Sequence, residues 1–311
     1  MRLILLTLAT GYYSLLHCRY NKNAMALFKN VATTLEMIKW EHSIFALPFA
    51  LTGAVLAAHG WPTLPQLAWI IVCMVSARAA AMAFNRLADE GIDAANPRTA
   101  TRALPAGLLS RRFVALFILA SCAIFVLGAW QLNRLTLWLS PVALLVVLGY
   151  SYTKRFTSYS HLILGLALGI APSAAWIAVR GSLDLRIVVL TLAVMLWVGG
   201  FDVLYACQDA DFDRSHGLFS IPRTFGVPRA LWIARVLHLQ ALVLLALIVV
   251  LFDLGNIAIA GIGLVGVLLA YEHSLVNAKD LSKLNAAFFT MNGVIAVVYF
   301  VFTAADLLIR R

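Results

Sequence analysis

RIVVLTLAVMLWVGGFDVLYAC spans residues 186–207, and the acidic string DADFD follows at 209–213. After Arg186 at its start, the one charged residue in the run is Asp202. Such a run rises about 33 Å as a helix, enough to cross the ~30 Å hydrocarbon core of a bilayer. A span that closes on carboxylates is a membrane helix whose end carries chemistry. The rest of the chain shares this character: its 311 residues are 62% hydrophobic and 12% charged, with mean hydropathy +0.90. Soluble domains hold about 25% charged residues, so a large soluble enzyme, a disulfide-stapled module and a disordered chain are excluded. Cys18, Cys73, Cys122 and Cys207 are scattered without CxxC spacing and read as small packing residues. The net charge of +10 fits loops at an anionic lipid bilayer surface and an anionic ligand, with no nucleic acid partner implied.

Apolar runs between polar breaks predict an all-α, polytopic bundle of about nine transmembrane helices with a central cavity. They fall near 43–59, 66–88, 112–130, 135–152, 161–179, 186–207, 229–252, 256–274 and 287–309. Two connections, 89–112 and 209–229, are long and hold much of the charge, which is where function concentrates in a compact bundle. The loops after the second, fourth, sixth and eighth helices, with their edges, carry thirteen Lys and Arg, and the opposite loops carry three. The positive-inside rule puts the thirteen, and both acidic strings, in the cytoplasm. Arg310 and Arg311, on the other side by this count, run against it.

The acids form two strings, Asn85-Arg-Leu-Ala-Asp89-Glu-Gly-Ile-Asp93 and Tyr205-Ala-Cys-Gln-Asp209-Ala-Asp-Phe-Asp213. Four-residue spacing stacks each trio along one helical face, where like charges repel. Carboxylates near membrane depth each cost about 2.5–3.5 kcal/mol, so a bound cation best explains two such stacks. Solvated loop charge would explain one motif; two on the same side of the membrane argue for a site. Asp89 and Asp93 precede Asp209 and Asp213 by the same 120 residues, and each motif is followed by Pro-Arg-Thr, at 97–99 and 222–224. The pattern predicts an internal four-helix repeat with two metal-binding halves face to face. Oxygen-only ligands at this spacing suit Mg²⁺ held by Asp89, Asp93, Asp209 and Asp213 together with a substrate's phosphates.

Both motifs sit at helix C-termini, the negative end of the dipole, so an anion there needs metal and basic side chains. Arg98, Arg102, Lys154, Arg155 and Arg223 supply the latter. A diphosphate at the rim of an apolar bundle implies a lipid tail among the helices, with Trp40, Phe45, Phe49, Tyr150, Tyr152 and Tyr205 as candidate liners. Arg78 lies two turns deeper than Asn85, and Asp202 at the equivalent depth before Asp209. They read either as a buried ion pair or with Arg78 facing a second substrate's carboxylate. His59, His161 and His238 read as boundary or packing residues.

Arg78-Ala-Ala, Asn85-Arg-x-x-Asp89-x-x-x-Asp93 and Arg98-Thr-x-x-Arg102-x-Leu-Pro-x-Gly107 resemble the first signature of UbiA-type membrane prenyltransferases. Tyr205-x-x-x-Asp209-x-x-x-Asp213 with Gly217 and Ser220 resembles the second, and Tyr150-Ser-Tyr-Thr-Lys154-Arg155-Phe-Thr resembles the loop after helix four. The likeness covers about residues 30–309 and is greatest to 4-hydroxybenzoate polyprenyltransferase-like proteins of ubiquinone and menaquinone biosynthesis. Lys39-Trp-Glu-His-Ser-Ile-Phe-Ala-Leu-Pro-Phe49 is similar to the bacterial branch that includes menaquinone-pathway members. Ile221-Pro222 departs from the family, where a threonine is common. The resemblance implies Mg²⁺-dependent transfer of a polyprenyl chain from polyprenyl diphosphate to a ring carbon of a small aromatic acid, 4-hydroxybenzoate-like or naphthoate-like. It also implies a bacterial inner membrane enzyme with its site facing the cytoplasm. Alternatives are a family member with a non-aromatic acceptor, or an ion-coupled transporter, whose acids would be spread along a path.

Residues 1–24 match no motif and read as a dispensable extension, and 25–311 as a single UbiA-like transmembrane domain. A chain beginning at Met25 is therefore expected to keep full prenyltransferase activity in membranes, measured per unit of inserted protein; its loss would return the first 24 residues to the functional domain.

Overall fold

Capping residues and turns set where the helices begin and end. Thr63 starts one with a full capping box, its hydroxyl accepting from the Gln66 amide while the Gln66 side chain accepts from the Thr63 amide. Ser110, Asn133 and Asp184 cap three others through their side-chain oxygens. In the computed structural model, which describes residues 31–39, 45–278, 280, 281, 284 and 290–310, no strand occurs among the described residues. The helices are α1 (31–38), α2 (Leu47–Ala58), α3 (Leu64–Ala88), α4 (Glu90–Ala95), α5 (Arg111–Leu132) and α6 (Arg134–Gly149). There follow α7 (Ser160–Arg180), α8 (Leu185–Ala206), α9 (Ala210–Ser215), α10 (Ile221–Phe225), α11 (Val227–Leu251), α12 (Asn256–Ser274) and α13 (Asn292–Ile309). The expectation for residues 1–24, and for Trp40 as a cavity liner, lies outside the described residues.

Eight spans are long and apolar enough to cross a membrane: α3, α5, α7, α8, α11, α12, α13, and α6 together with the 3-10 turn Tyr150–Arg155 that continues it. The ninth expected span is α2, whose 12 residues rise about 18 Å, short of a crossing. Leu116, Leu145, Leu185 and Val250 point outward and are exposed, as lipid-facing side chains are.

Small residues let the central helices touch. A Cβ on Gly165 of α7 would stand 2.2 Å from the Met195 carbonyl oxygen of α8, and one on Gly169 would be 2.7 Å from that of Thr191. This small-xxx-small face lets two backbones meet where no water is available to drive association. On the other side of α7, Pro172 meets Gly53 of α2 in the same way. Beside this seam Phe49 packs on Trp197 at 5.0 Å and stacks on Tyr299 at 5.5 Å, and Trp197 meets Phe201 edge-on at 5.0 Å. Phe49 is thus a core residue rather than a cavity liner. At one end of α7 its last carbonyls accept from Asn133 and Gln66, which ties together α3, α6 and α7.

The repeat is visible in the backbone. α3 breaks at Asp89 (φ −97°, ψ 7°) into six-residue α4, and α8 passes through a 3-10 turn, Cys207–Asp209, that breaks at Asp209 (φ −103°, ψ 6°) into six-residue α9. Each motif therefore has its first acid at a break and its second in the first turn of a new helix. The expectation of two acids at a helix C-terminus is corrected: Asp93 and Asp213 lie at the favourable, positive end of a short dipole.

Gly165→Ala forces α7 and α8 apart against backbone atoms. It is expected to destabilise by about 1–3 kcal/mol, read as a lower unfolding temperature in detergent, whereas Gly263→Ala, with nothing within 4 Å of its Cβ, should leave stability unchanged or slightly raised.

Candidate functional site

Where α3 and α8 break, the two halves face each other across the mouth of a cavity of about 680 Å³. It runs from Asp89, Asp93, Asp209 and Asp213 to Leu132 and Leu183 near the opposite end of the bundle, and its deeper wall is apolar. Asp89 and Asp93 are buried, at 2% and 5% exposure, so their charge has to be met by protein.

Each acid is answered. Lys154 Nζ lies 2.6 Å from Asp89 Oδ2, Arg155 Nη2 donates to Asp89 Oδ1 at 3.1 Å, and Asn85 Nδ2 donates to Asp89 Oδ2 at 3.1 Å. Arg102 Nη1 donates to both oxygens of Asp93 at 2.7 and 2.8 Å. Arg98 reaches across to the other half, where it takes Asp209 through Nε (3.0 Å) and Nη2 and donates from Nη1 to the Tyr205 hydroxyl at 3.0 Å. Burial pulls the Arg98 guanidinium down, but its bonds to Asp209 and Tyr205 outweigh this and hold it above its usual value. Asn96 also donates to Asp209, at 3.2 Å. Asp213 accepts from Ser220 Oγ at 2.7 Å, and Ser220 in turn caps α10 by accepting from the Arg223 amide.

Asn85, Asp89, Asp93, Arg98, Arg102, Lys154, Tyr205, Asp209 and Asp213 thus converge on one mouth, with Arg78 and Asp202 lining the same cavity. Arg155 stands behind Asp89 and also donates to the Ala88 carbonyl at 2.7 Å. Arg223 is the departure: its Nη1 donates to the Leu218 carbonyl at 2.7 Å and its guanidinium lies over the Phe219 ring. The two Pro-Arg-Thr strings are therefore not equivalent, because Arg98 bridges the halves while Arg223 braces its own loop. Nor do Arg78 and Asp202 form an ion pair. Arg78 donates to the Lys39 carbonyl, and Asp202 is held by His161, Nδ1 to Oδ2 at 2.7 Å.

Sequence reading missed His161 and Asn96. His161, next to a polar loop, carries no local mark of its partner 41 residues away, and Asn96 reads as an ordinary turn residue before Pro97. Of the candidate aromatics, Phe45, Tyr150 and Tyr205 line the cavity, while Tyr152 is exposed beneath Arg155.

The donor set suits a hard cation. Among the described residues no three acid, histidine or cysteine side chains stand close enough to share an ion. Mg²⁺ needs only one or two carboxylates, with water and phosphate oxygens completing its shell, and each half offers two. The bases on them are 28–34% exposed and on flexible stems, free to trade a carboxylate for an incoming anion.

Residues 46–294 match the model of the UbiA prenyltransferase family. The chain is 33% identical over 254 residues to the 4-hydroxybenzoate octaprenyltransferase of Vibrio cholerae, across 80% of this chain and 88% of that protein. It is 31% identical over 258 residues to the enzyme of the same name from Photobacterium profundum, across 83% and 89%. The apo structure of a UbiA homolog from Aeropyrum pernix K1 superposes with a TM-score of 0.78 at 34% identity, covering 86% of this chain and 98% of that one. A UbiA homolog from Archaeoglobus fulgidus bound to DMAPP and Mg²⁺ shares the fold at 19% identity, with a TM-score of 0.68 over 89% and 99% of the two chains.

Arg102→Gln leaves Asp93 buried without its counterion and is expected to lower the unfolding temperature in detergent clearly. Arg111→Gln removes the exposed pair with Glu90 and should change stability by less than about 1 kcal/mol. Adding Asp93→Asn to Arg102→Gln should restore most of the loss; a double variant as unstable as the single would show that Arg102 matters for packing rather than charge.

Proposed function

The chain belongs to the UbiA prenyltransferase family, an integral membrane enzyme by its helices, and from that premise we propose its reaction: Mg²⁺-dependent transfer of a polyprenyl chain from polyprenyl diphosphate to a ring carbon of a 4-hydroxybenzoate-like or naphthoate-like acid. The observation that carries this reading is the mouth itself, where two carboxylates from each half meet four bases above an apolar cavity. The names of the relatives in Vibrio cholerae and Photobacterium profundum support the acceptor class. The Archaeoglobus fulgidus homolog with DMAPP and Mg²⁺ supports the donor class and the metal.

Asp89 and Asp93 on one side, and Asp209 and Asp213 on the other, would hold magnesium, which supplies neutralisation of the diphosphate and so a better leaving group. Lys154, Arg155, Arg98 and Arg102 then exchange their carboxylates for diphosphate oxygens. The bond between the allylic carbon and diphosphate breaks, the carbon–carbon bond to the ring forms, and the ring loses a proton. The apolar cavity keeps water from the allylic cation, and Tyr150 and Tyr205 offer it ring faces. Arg78, deeper in the cavity, presents a planar fork suited to the acceptor's carboxylate, and Asp202 accepts from its hydroxyl. Arg223, engaged with its own loop, is given no phosphate contact. The basic loops on this side of the bundle support a mouth that faces the cytoplasm from a bacterial inner membrane.

The test is mass spectrometry of lipid products from membranes supplied with Mg²⁺, a polyprenyl diphosphate and a panel of aromatic acids. A prenylated hydroxybenzoate or naphthoate is expected; donor consumption with no aromatic product would overturn the acceptor assignment. Asp89→Asn and Asp209→Asn should each cut turnover by at least about a hundredfold with normal protein levels in the membrane. The double variant should be little worse than either, because both acids serve one transition state; losses that multiply would mean that the halves do not share a substrate.

A further inference from the structure

Asp202 enters the cavity from α8 one turn deeper than Tyr205, and its bond within the protein comes from His161. His161 opens α7 and is 4% exposed. Its other nitrogen, Nε2, accepts the amide of Ile221, the first residue of α10, at 3.2 Å. A ring nitrogen that accepts carries no hydrogen, so the proton of neutral His161 sits on Nδ1 and is donated to Asp202. Both ring nitrogens are thereby committed, and His161 has no lone pair left for a substrate proton. Ile221 follows Ser220, whose hydroxyl holds Asp213 at the mouth. One imidazole therefore joins the deep carboxylate to the turn that supports a mouth carboxylate.

We propose that His161 is a positioning residue for the acceptor. Through Nδ1–H it fixes Asp202 with one oxygen left for the aromatic substrate, and through Nε2 it fixes the α10 turn relative to that oxygen. This rests on the reading of Asp202 as an acceptor-facing group. Asp202 without His161 would keep its charge but lose its orientation, so acceptor affinity falls while donor affinity is spared.

Two amide variants separate the two bonds. In His161→Asn the side-chain nitrogen can occupy the place of Nδ1 and still donate to Asp202, while the reach to Ile221 is lost. In His161→Gln the amide lies near the place of Nε2 and the bond to Asp202 is lost. Steady-state kinetics on the full chain in membranes, with 4-hydroxybenzoate and a polyprenyl diphosphate, should show the acceptor KM of His161→Gln raised about tenfold or more, with the donor KM within about twofold of wild type. His161→Asn should recover most of the acceptor KM. Equal changes in both KM values, or fewer folded molecules with unchanged constants, would make His161 a structural staple and overturn the proposal. Wild-type membranes that do not convert 4-hydroxybenzoate would sink the acceptor reading, and this inference with it.

Discussion

Charge compensation at the mouth is the constraint on which the rest of the fold depends. Four carboxylates brought to the end of a bilayer-embedded cavity repel one another and have little water to screen them. Asp89, Asp93, Asp209 and Asp213 are met by Lys154, Arg155, Arg102 and Arg98, with Ser220 completing the set. The long loops at this end of the bundle follow from this need. The 89–110 segment curls back so that Arg102 reaches Asp93 and Arg98 crosses to Asp209, and the 3-10 turn Tyr150–Arg155 brings two bases to Asp89. The two halves of the repeat are bound to each other at that end by Arg98 and Asn96 on Asp209 and by the Phe219 amide on the Lys154 carbonyl.

The opposite end obeys a different rule. There α7 is pinned by Asn133 and Gln66, and along its length Gly165, Gly169 and Pro172 let α8 and α2 approach to backbone contact. A close-packed seam holds the cavity's shape where a tail would lie, and exchangeable ion pairs hold its mouth. Rigidity and adjustability are thus divided along the membrane normal.

Most of the architecture was legible in the sequence because lipid imposes strong rules. Span lengths, the two DxxxD strings and their 120-residue offset all reflect one-dimensional patterns, and the expected helix edges fall within a few residues of α3, α5, α7, α8 and α12. What stayed hidden was relational. That Asp89 and Asp209 sit at helix breaks cannot be read from spacing, because i to i+4 periodicity continues through the kink. Arg223 sits in the same tripeptide as Arg98, yet a five-residue-longer lead places it against Leu218 and Phe219 instead. His161 looked like a boundary residue because its two partners, Asp202 and Ile221, lie 41 and 60 residues away.

The balance of four acids by four bases, three of the acids paired directly and Asp213 held by Ser220, also determines which anions the resting mouth attracts. Its charges already cancel, so it projects little field into the surrounding water, and a nucleotide or inorganic phosphate arriving alone finds every base occupied and every carboxylate repelling it. A ligand that brings its own divalent cations can trade with both sides at once, giving metal to the acids and oxygens to the bases. Under the proposed reaction, discrimination among cellular phosphates would rest on the stoichiometry of this double exchange as well as on the shape of the tail.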